Sequence, residues 1–140
     1  MRLTEQSRYA LRVLAYCGER HPVLSKVADI ARATGITEQN IFKLIKTLTK
    51  ARLVETIRGP HGGVRLAMAP GAIRVGQVIR AVEPRFKECG PLVQMLSEAP
   101  VSDVERELDR AIGRGIAAFM EALDRTSIAA LIRRPAKSAA

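Results

Sequence analysis

Apolar residues recur along this chain at helical intervals in separate runs, and the breaks between the runs mark the elements. Val27, Ile30 and Ala31 make one stripe, and Ile41, Leu44, Ile45 and Leu48 make another. Gly35 lies between them, at a turn suited to a positive φ. Thr37 is placed to cap the second helix, and Glu38 in its first turn suits the helix dipole. The period then changes. LVETIR and VRLAM have strand-like composition, and Gly59-Pro60-His61-Gly62-Gly63 between them cannot continue a helix. From Lys26 to Met68 the pattern therefore reads as a helix-turn-helix followed by a wing.

On either side the same reasoning predicts more helix. Leu11, Leu14, Ala15 and Gly18 place a helix from Thr4 to Arg20, capped by Thr4 and ended by His21-Pro22. Cys17 falls on its buried side, where free cysteine behaves as a small hydrophobe. Val75, Val78, Ile79 and Val82 mark a short helix that stops at Glu83-Pro84. Residues 84–102 read as a connector, with a helical turn around Leu92 to Leu96. Val104, Leu108, Ile112, Ile116, Phe119 and Leu123 then predict a long helix from Asp103 to Asp124, with Ser102 as cap and Glu105 in a capping box.

Gly113 and Gly115 each cost that helix about 1 kcal/mol relative to Ala, which the approach of another backbone would explain. A broad apolar face on a helix projecting from a small domain is expected to be covered by a second copy. Such a two-fold pair would match a palindromic site with half-sites about 34 Å apart. A short helix from Ser127 to Arg133 is expected to fold back on the pair. The fold class is thus mainly α with a small β wing: a winged helix-turn-helix domain (1–83), a connector or sensor loop (84–102), a dimerisation helix with the short helix (103–134), and a disordered tail (135–140).

Charge sharpens this picture. The chain carries a formal +9. Residues 1–84 hold 14 Lys and Arg against 6 Asp and Glu, whereas residues 85–140 hold 9 against 8. The excess lies with the helix-turn-helix, which favours a polyanionic partner for that half. No apolar run approaches a membrane span and no signal-peptide core is present, so a cytoplasmic location and no membrane association are expected. Two cysteines make no disulfide framework, and no Cys/His cluster points to zinc. Nothing brings together a catalytic grouping, and the wing glycines lack the strand-to-helix setting of a phosphate-binding loop, so an enzyme is not expected.

The polar positions of the second helix fit the major groove, where amides pair with adenine edges and lysines with guanine or phosphate. The expected DNA contacts are Thr37, then Gln39, Asn40 and Lys43 on bases, and Lys46, Lys50, Arg58 and Arg65 on phosphates. His61 and Gly62 stand at the wing tip, which could enter a narrow minor groove.

MRLTEQSRYALRVLAYC at the start, DIARATGITEQNIFKLIKTLTKARLVETIRGPHGGVRL and IRVGQVIRAVE resemble the iron-sulfur-cluster regulators of bacteria, the winged-helix group that includes IscR, NsrR and RirA, and most of all its RirA and NsrR branch. The resemblance is strong to about residue 88 and looser beyond. It implies a homodimeric, DNA-binding transcriptional regulator, usually a repressor, acting on a palindromic operator in double-stranded DNA. Many members hold a cluster on three connector cysteines. The first maps onto Cys89; no other cysteine follows, and Met95 stands at the place of a later one. Positions 8 and 12, which supply ligands in a few relatives, are Arg8 and Arg12. A three-cysteine cluster is therefore excluded, no cofactor is assigned, and an atypical iron-sulfur cluster built on Cys89 with Glu88, a histidine or a small thiol is disfavoured.

Cys89 keeps three readings: a redox-reactive thiol beside Arg85 and Lys87, placed first; a remnant metal ligand; or an inert residue. Function follows the same division. The chain is expected to respond to redox, iron or nitrosative status through the Cys89 region. The alternative is control by a small ligand or protein partner, with no cluster and an inert Cys89.

Overall fold

The Thr4 hydroxyl accepts the Ser7 N–H, with Glu5 in the first turn, and the first helix, α1, runs Glu5–Arg20 as its spacing predicts. The computed structural model describes residues 2–83, 86 and 99–133. Its elements are α1, α2 (Val27–Thr34), α3 (Glu38–Lys50), β1 (Val54–Ile57), β2 (Gly63–Leu66), a 3-10 turn at Pro70–Ala72, α4 (Val75–Val82), α5 (Asp103–Asp124) and α6 (Ile128–Ile132). The helical turn expected at Leu92 to Leu96, and Cys89 with its neighbours Arg85, Lys87 and Glu88, lie outside the described residues, as does Met95.

α1 is the hub. It buries Ser7, Ala10, Val13, Leu14, Cys17 and Gly18, so that the expected Leu14, Cys17 and Gly18 go inward while Leu11 and Ala15 are half-buried and Ala10 and Val13 take the edge of the stripe. The difference arises because α1 is packed on several sides at once, by α2, α3, β2, α4 and α6. Gly35 ends α2 with φ +71°, and an added Cβ there would meet nothing within 4 Å, so conformation alone demands the glycine. Thr37 then caps α3 by accepting the Asn40 N–H at 3.3 Å, and Ile41, Leu44, Ile45 and Leu48 go inward.

The wing is an antiparallel pair with Val54 opposite Leu66 and Ile57 opposite Gly63. Its strands are shorter than LVETIR and VRLAM, since the Leu53 N–H is taken by the Leu48 carbonyl at the end of α3. The outer edge of β2 is also paired: Ser25 and Val64 exchange backbone bonds of 2.8 and 2.9 Å. An added Cβ at Gly63 would lie 2.6 Å from the Ser25 carbonyl oxygen, so only glycine admits that strand.

The short helix, expected to fold back on a subunit pair, folds onto α1 of its own chain. Ile128 is fully buried in the same core as Leu14 and Ile30, its N–H donates to the Ile73 carbonyl at 2.9 Å, and Val75 donates to Thr126 at 2.8 Å. Gly18 leaves room for it: a Cβ there would stand 3.3 Å from Ile128 Cγ2.

A second cluster, Val75, Ile79 and Met120 with Leu3, Leu11, Phe119 and Leu123 around it, docks the end of α5 on α4. Arg80 grips Asp124 there with two bonds of 2.6 and 2.8 Å, above Gly76. The pair raises the Arg80 pKa and lowers that of Asp124, chiefly through the hydrogen bonding. At the other end of α5, Ser102 accepts the Glu105 N–H while Glu105 reaches back to the Val101 N–H, closing the capping box one residue before the cap itself. Val104 and Leu108 are 78% and 56% exposed, so the first half of the apolar stripe has no cover among the described residues. An added Cβ at Gly115 likewise meets nothing within 4 Å.

Glu83 ties α4 to α1. Its buried carboxylate Oε2 accepts the Thr4 N–H at 3.1 Å, the Thr4 hydroxyl at 3.0 Å and the Ser7 hydroxyl at 2.6 Å.

Candidate nucleic-acid interface

Because α3 buries Ile41, Leu44, Ile45 and Leu48, helical spacing puts Gln39, Lys43, Lys46 and Lys50 along the opposite pole, and all four are exposed. Their side chains make no hydrogen bond or ion pair among the described residues. By contrast, Arg32 pairs with Asp29 and Arg65 with Glu55. Four polar groups, three of them ammoniums, thus project in a row from a helix whose backbone is fixed from behind.

The other expected contact residues are placed less openly. Asn40 is half-buried on a flank of α3. Thr37 is exposed, with its hydroxyl already serving as the helix cap. Arg58 and His61 are exposed on the wing loop. Arg65 is half-buried, and its Nε donates to Glu55 Oε1 across the strand pair at 2.5 Å. Gly62 is buried and its N–H is used by the Gly59 carbonyl at 3.0 Å, so it shapes the loop from inside. Gly59 has φ +108°, and a Cβ at Gly62 would fall 1.9 Å from the Ile57 carbonyl oxygen.

Two participants escaped the sequence reading. Lys26 donates to the Pro60 carbonyl at 2.8 Å and so tethers the wing tip to the start of α2. Phe42 lies on the flank of α3 that faces the wing and is 59% exposed. Its spacing from the buried stripe could have shown that it does not belong there.

A helix with a free cationic row, supported by a helix-turn-helix and flanked by a tethered β-hairpin, defines a winged-helix DNA-binding protein. Residues 3–134 match the family described as Rrf2, iron-dependent transcriptional regulator, and the chain belongs to that family. It is 38% identical over 135 residues to Protein aau3 of Rhizobium meliloti (strain 1021), covering 95% of this chain and 86% of that protein. To the HTH-type transcriptional regulator NsrR of Geobacillus kaustophilus it is 35% identical, over 94% of this chain and 90% of the relative. CymR (YrzC), the global cysteine regulator of B. subtilis, has a similar structure, with TM-score 0.74 at 28% identity, covering 94% of this chain and 96% of that one. IscR of T. potens gives 0.66 at 27% identity, over 94% and 86%. The resemblance to the IscR, NsrR and RirA group thus holds, and the protein is a DNA-binding transcriptional regulator rather than an enzyme.

The family description raises the question of iron. Thiolates are the usual ligands of iron-sulfur clusters. The chain has two cysteines, and Cys17 is fully buried, its thiol pushed up to about 11 by desolvation against the opposing charge of Arg20. A thiol fully enclosed by the apolar core, outside any cluster of donors among the described residues, is no ligand. Among the described residues no three His, Cys, Asp or Glu side chains gather. The residues present do not fit a conventional cluster. No helix among the described residues is long and apolar enough to cross a membrane.

Proposed function

We propose that this chain is a cytoplasmic, homodimeric repressor that binds a palindromic operator and releases it in response to a redox, iron or nitrosative signal received at Cys89. The observation that carries the DNA-binding part is the unpaired row Gln39, Lys43, Lys46 and Lys50 beside the tethered wing. Gln39 and Lys43, in the first half of α3, read bases; Lys46, Lys50 and Arg58 hold phosphates. Dimerisation is supported by the uncovered apolar face at Val104 and Leu108, which a second copy of α5 would bury. Assignment of the signal to Cys89 rests on elimination within the sequence: the buried, neutral Cys17 is withdrawn from redox chemistry.

The test is operator binding by the full chain, purified without oxygen, before and after exposure to peroxide, to nitric oxide and to an iron chelator. The proposal expects tight binding by a dimer and loss of binding in at least one treatment, with Cys89→Ser resistant to that treatment. Unchanged regulation in Cys89→Ser would replace this reading with control by a small ligand or partner.

A further inference from the structure

Phe42 is an unusual residue to leave in solvent on a face otherwise composed of amides and ammoniums. It is not alone: Phe42, Ile45, Ile57 and Val64 line an open groove of about 510 Å³ between α3 and the wing, with Lys46 and Arg58 at its rim. Ile57, on β1, is itself 46% exposed. Scattered exposed apolar side chains are ordinary, but here two from different elements share one concavity. The cationic rim directs that concavity toward the same polyanion as the rest of the face.

B-DNA offers little to an apolar slot. Base edges in the minor groove present acceptors, the guanine amino group and the flat C2–H of adenine, and in the major groove the one projecting apolar group is the C5-methyl of thymine. Phe42 stands in the first half of α3, the part of a recognition helix that meets base edges, one turn after Gln39. We propose that Phe42 is a specificity-determining residue that covers the 5-methyl group of a thymine in each half-site, with the apolar floor of the groove behind it. Gln39, on the adjoining turn, then reads a neighbouring base, so each half-site core contains an A·T pair recognised through its methyl group. This inference rests on the assignment of α3 as recognition helix and adds to it the identity of one base.

The test separates the two. A preferred operator is first selected from random duplexes by the full-length chain. Each thymine is then replaced singly by deoxyuridine, which removes only the methyl group, and affinities are read by fluorescence anisotropy at one salt concentration. Removing one buried methyl is expected to weaken binding about fourfold at one thymine in each half-site, and roughly fifteenfold when both are replaced. In Phe42→Ala the difference between thymine and deoxyuridine disappears at that position alone. Phe42→Leu, which keeps an apolar cover, retains part of it. Since Phe42 is largely exposed, both variants should keep the wild-type circular dichroism spectrum and dimer mass. The inference is overturned if the wild type binds every deoxyuridine operator equally well, or if Phe42→Ala discriminates as strongly as the wild type. A chain that selects no sequence at all overturns the proposed function along with it.

Discussion

Glu83 is the point at which one side chain controls the relation between α4 and α1. Replacing it with Ala removes an acceptor that receives three hydrogen bonds on one oxygen, from the Thr4 N–H, the Thr4 hydroxyl and the fully buried Ser7 hydroxyl. Hydrogen bonds to a charged acceptor contribute about 1.5–3 kcal/mol each and are not additive, and a buried donor stranded without its partner costs about 1–3 kcal/mol. The carboxylate also stands at the positive end of the α1 dipole. Together these place the expected loss for Glu83→Ala at about 3–5 kcal/mol, a large share of the about 5–15 kcal/mol that holds an ordinary domain folded. Glu83→Gln keeps the volume and one acceptor but not the charge, and about 1–2 kcal/mol is expected.

The assay is urea unfolding at neutral pH, followed by far-ultraviolet circular dichroism at a single protein concentration, since the stability of the proposed dimer would depend on concentration. A cycle with Ser7→Ala adds a second reading. Once Ser7 has lost its hydroxyl, Glu83→Ala should cost less, with a coupling of about 0.5–3 kcal/mol between the two positions. Losses below about 1 kcal/mol for Glu83→Ala, or strict additivity in the cycle, would show that the carboxylate does not hold the two helices together.

Three further outcomes are expected. Cys17 should resist alkylation in the native protein near neutral pH and react only on unfolding; because its folded pKa lies above the usual thiol value, its contribution of about 3 kcal/mol is intact below about pH 9 and is lost as pH rises toward 11. Gly62→Ala should disrupt the wing and weaken DNA binding, since its Cβ would collide with the Ile57 carbonyl, whereas Gly71→Ala, with nothing within 4 Å, should stay within about 0.5 kcal/mol of wild type in the same unfolding assay. In competition binding, Gln39→Ala should relax sequence preference by about 1–3 kcal/mol and exceed the effect of the half-buried Asn40, while Lys50→Ala should weaken all DNA alike and lower the salt slope by about one per subunit.

What could be read from the sequence was whatever depended on near neighbours. Thr4, Thr37 and Ser102 announce helix starts because a cap bonds within three residues, and each is found capping. The inward stripe of α3 is legible because both the period and the burial belong to one helix. On α1 the spacing marks Leu14, Cys17 and Gly18 as buried, as they are, but also the half-buried Leu11 and Ala15, since a hub packed from several directions has no single apolar face to report. Among the candidate contacts, the lysines of α3 were recognisable as an exposed row. The engagement of Arg65 by Glu55 was not, because it depends on strand register.

Distance along the chain sets the remaining limit. Ile128 belongs to the core of α1, and Glu83 bonds to Thr4 and Ser7 across more than seventy residues, yet neither has any local mark that distinguishes it from an ordinary isoleucine or a helix-ending glutamate. Both contacts have the same consequence for function. The segment that carries Cys89 leaves directly from Glu83, beside Thr4 and Ser7, and the chain returns through α5 and α6 to the other end of α1, where Gly18 faces Ile128. α1 in turn packs against α2 and α3. A displacement of the connector that moved either Glu83 or the end of α5 would therefore reach α3, the proposed recognition helix, through buried contacts with little freedom to absorb it. If signals do travel this way, Glu83→Gln should reduce the difference in operator affinity between the two signalling states more than it reduces affinity itself. An equal loss in both states would mean that the carboxylate serves stability alone.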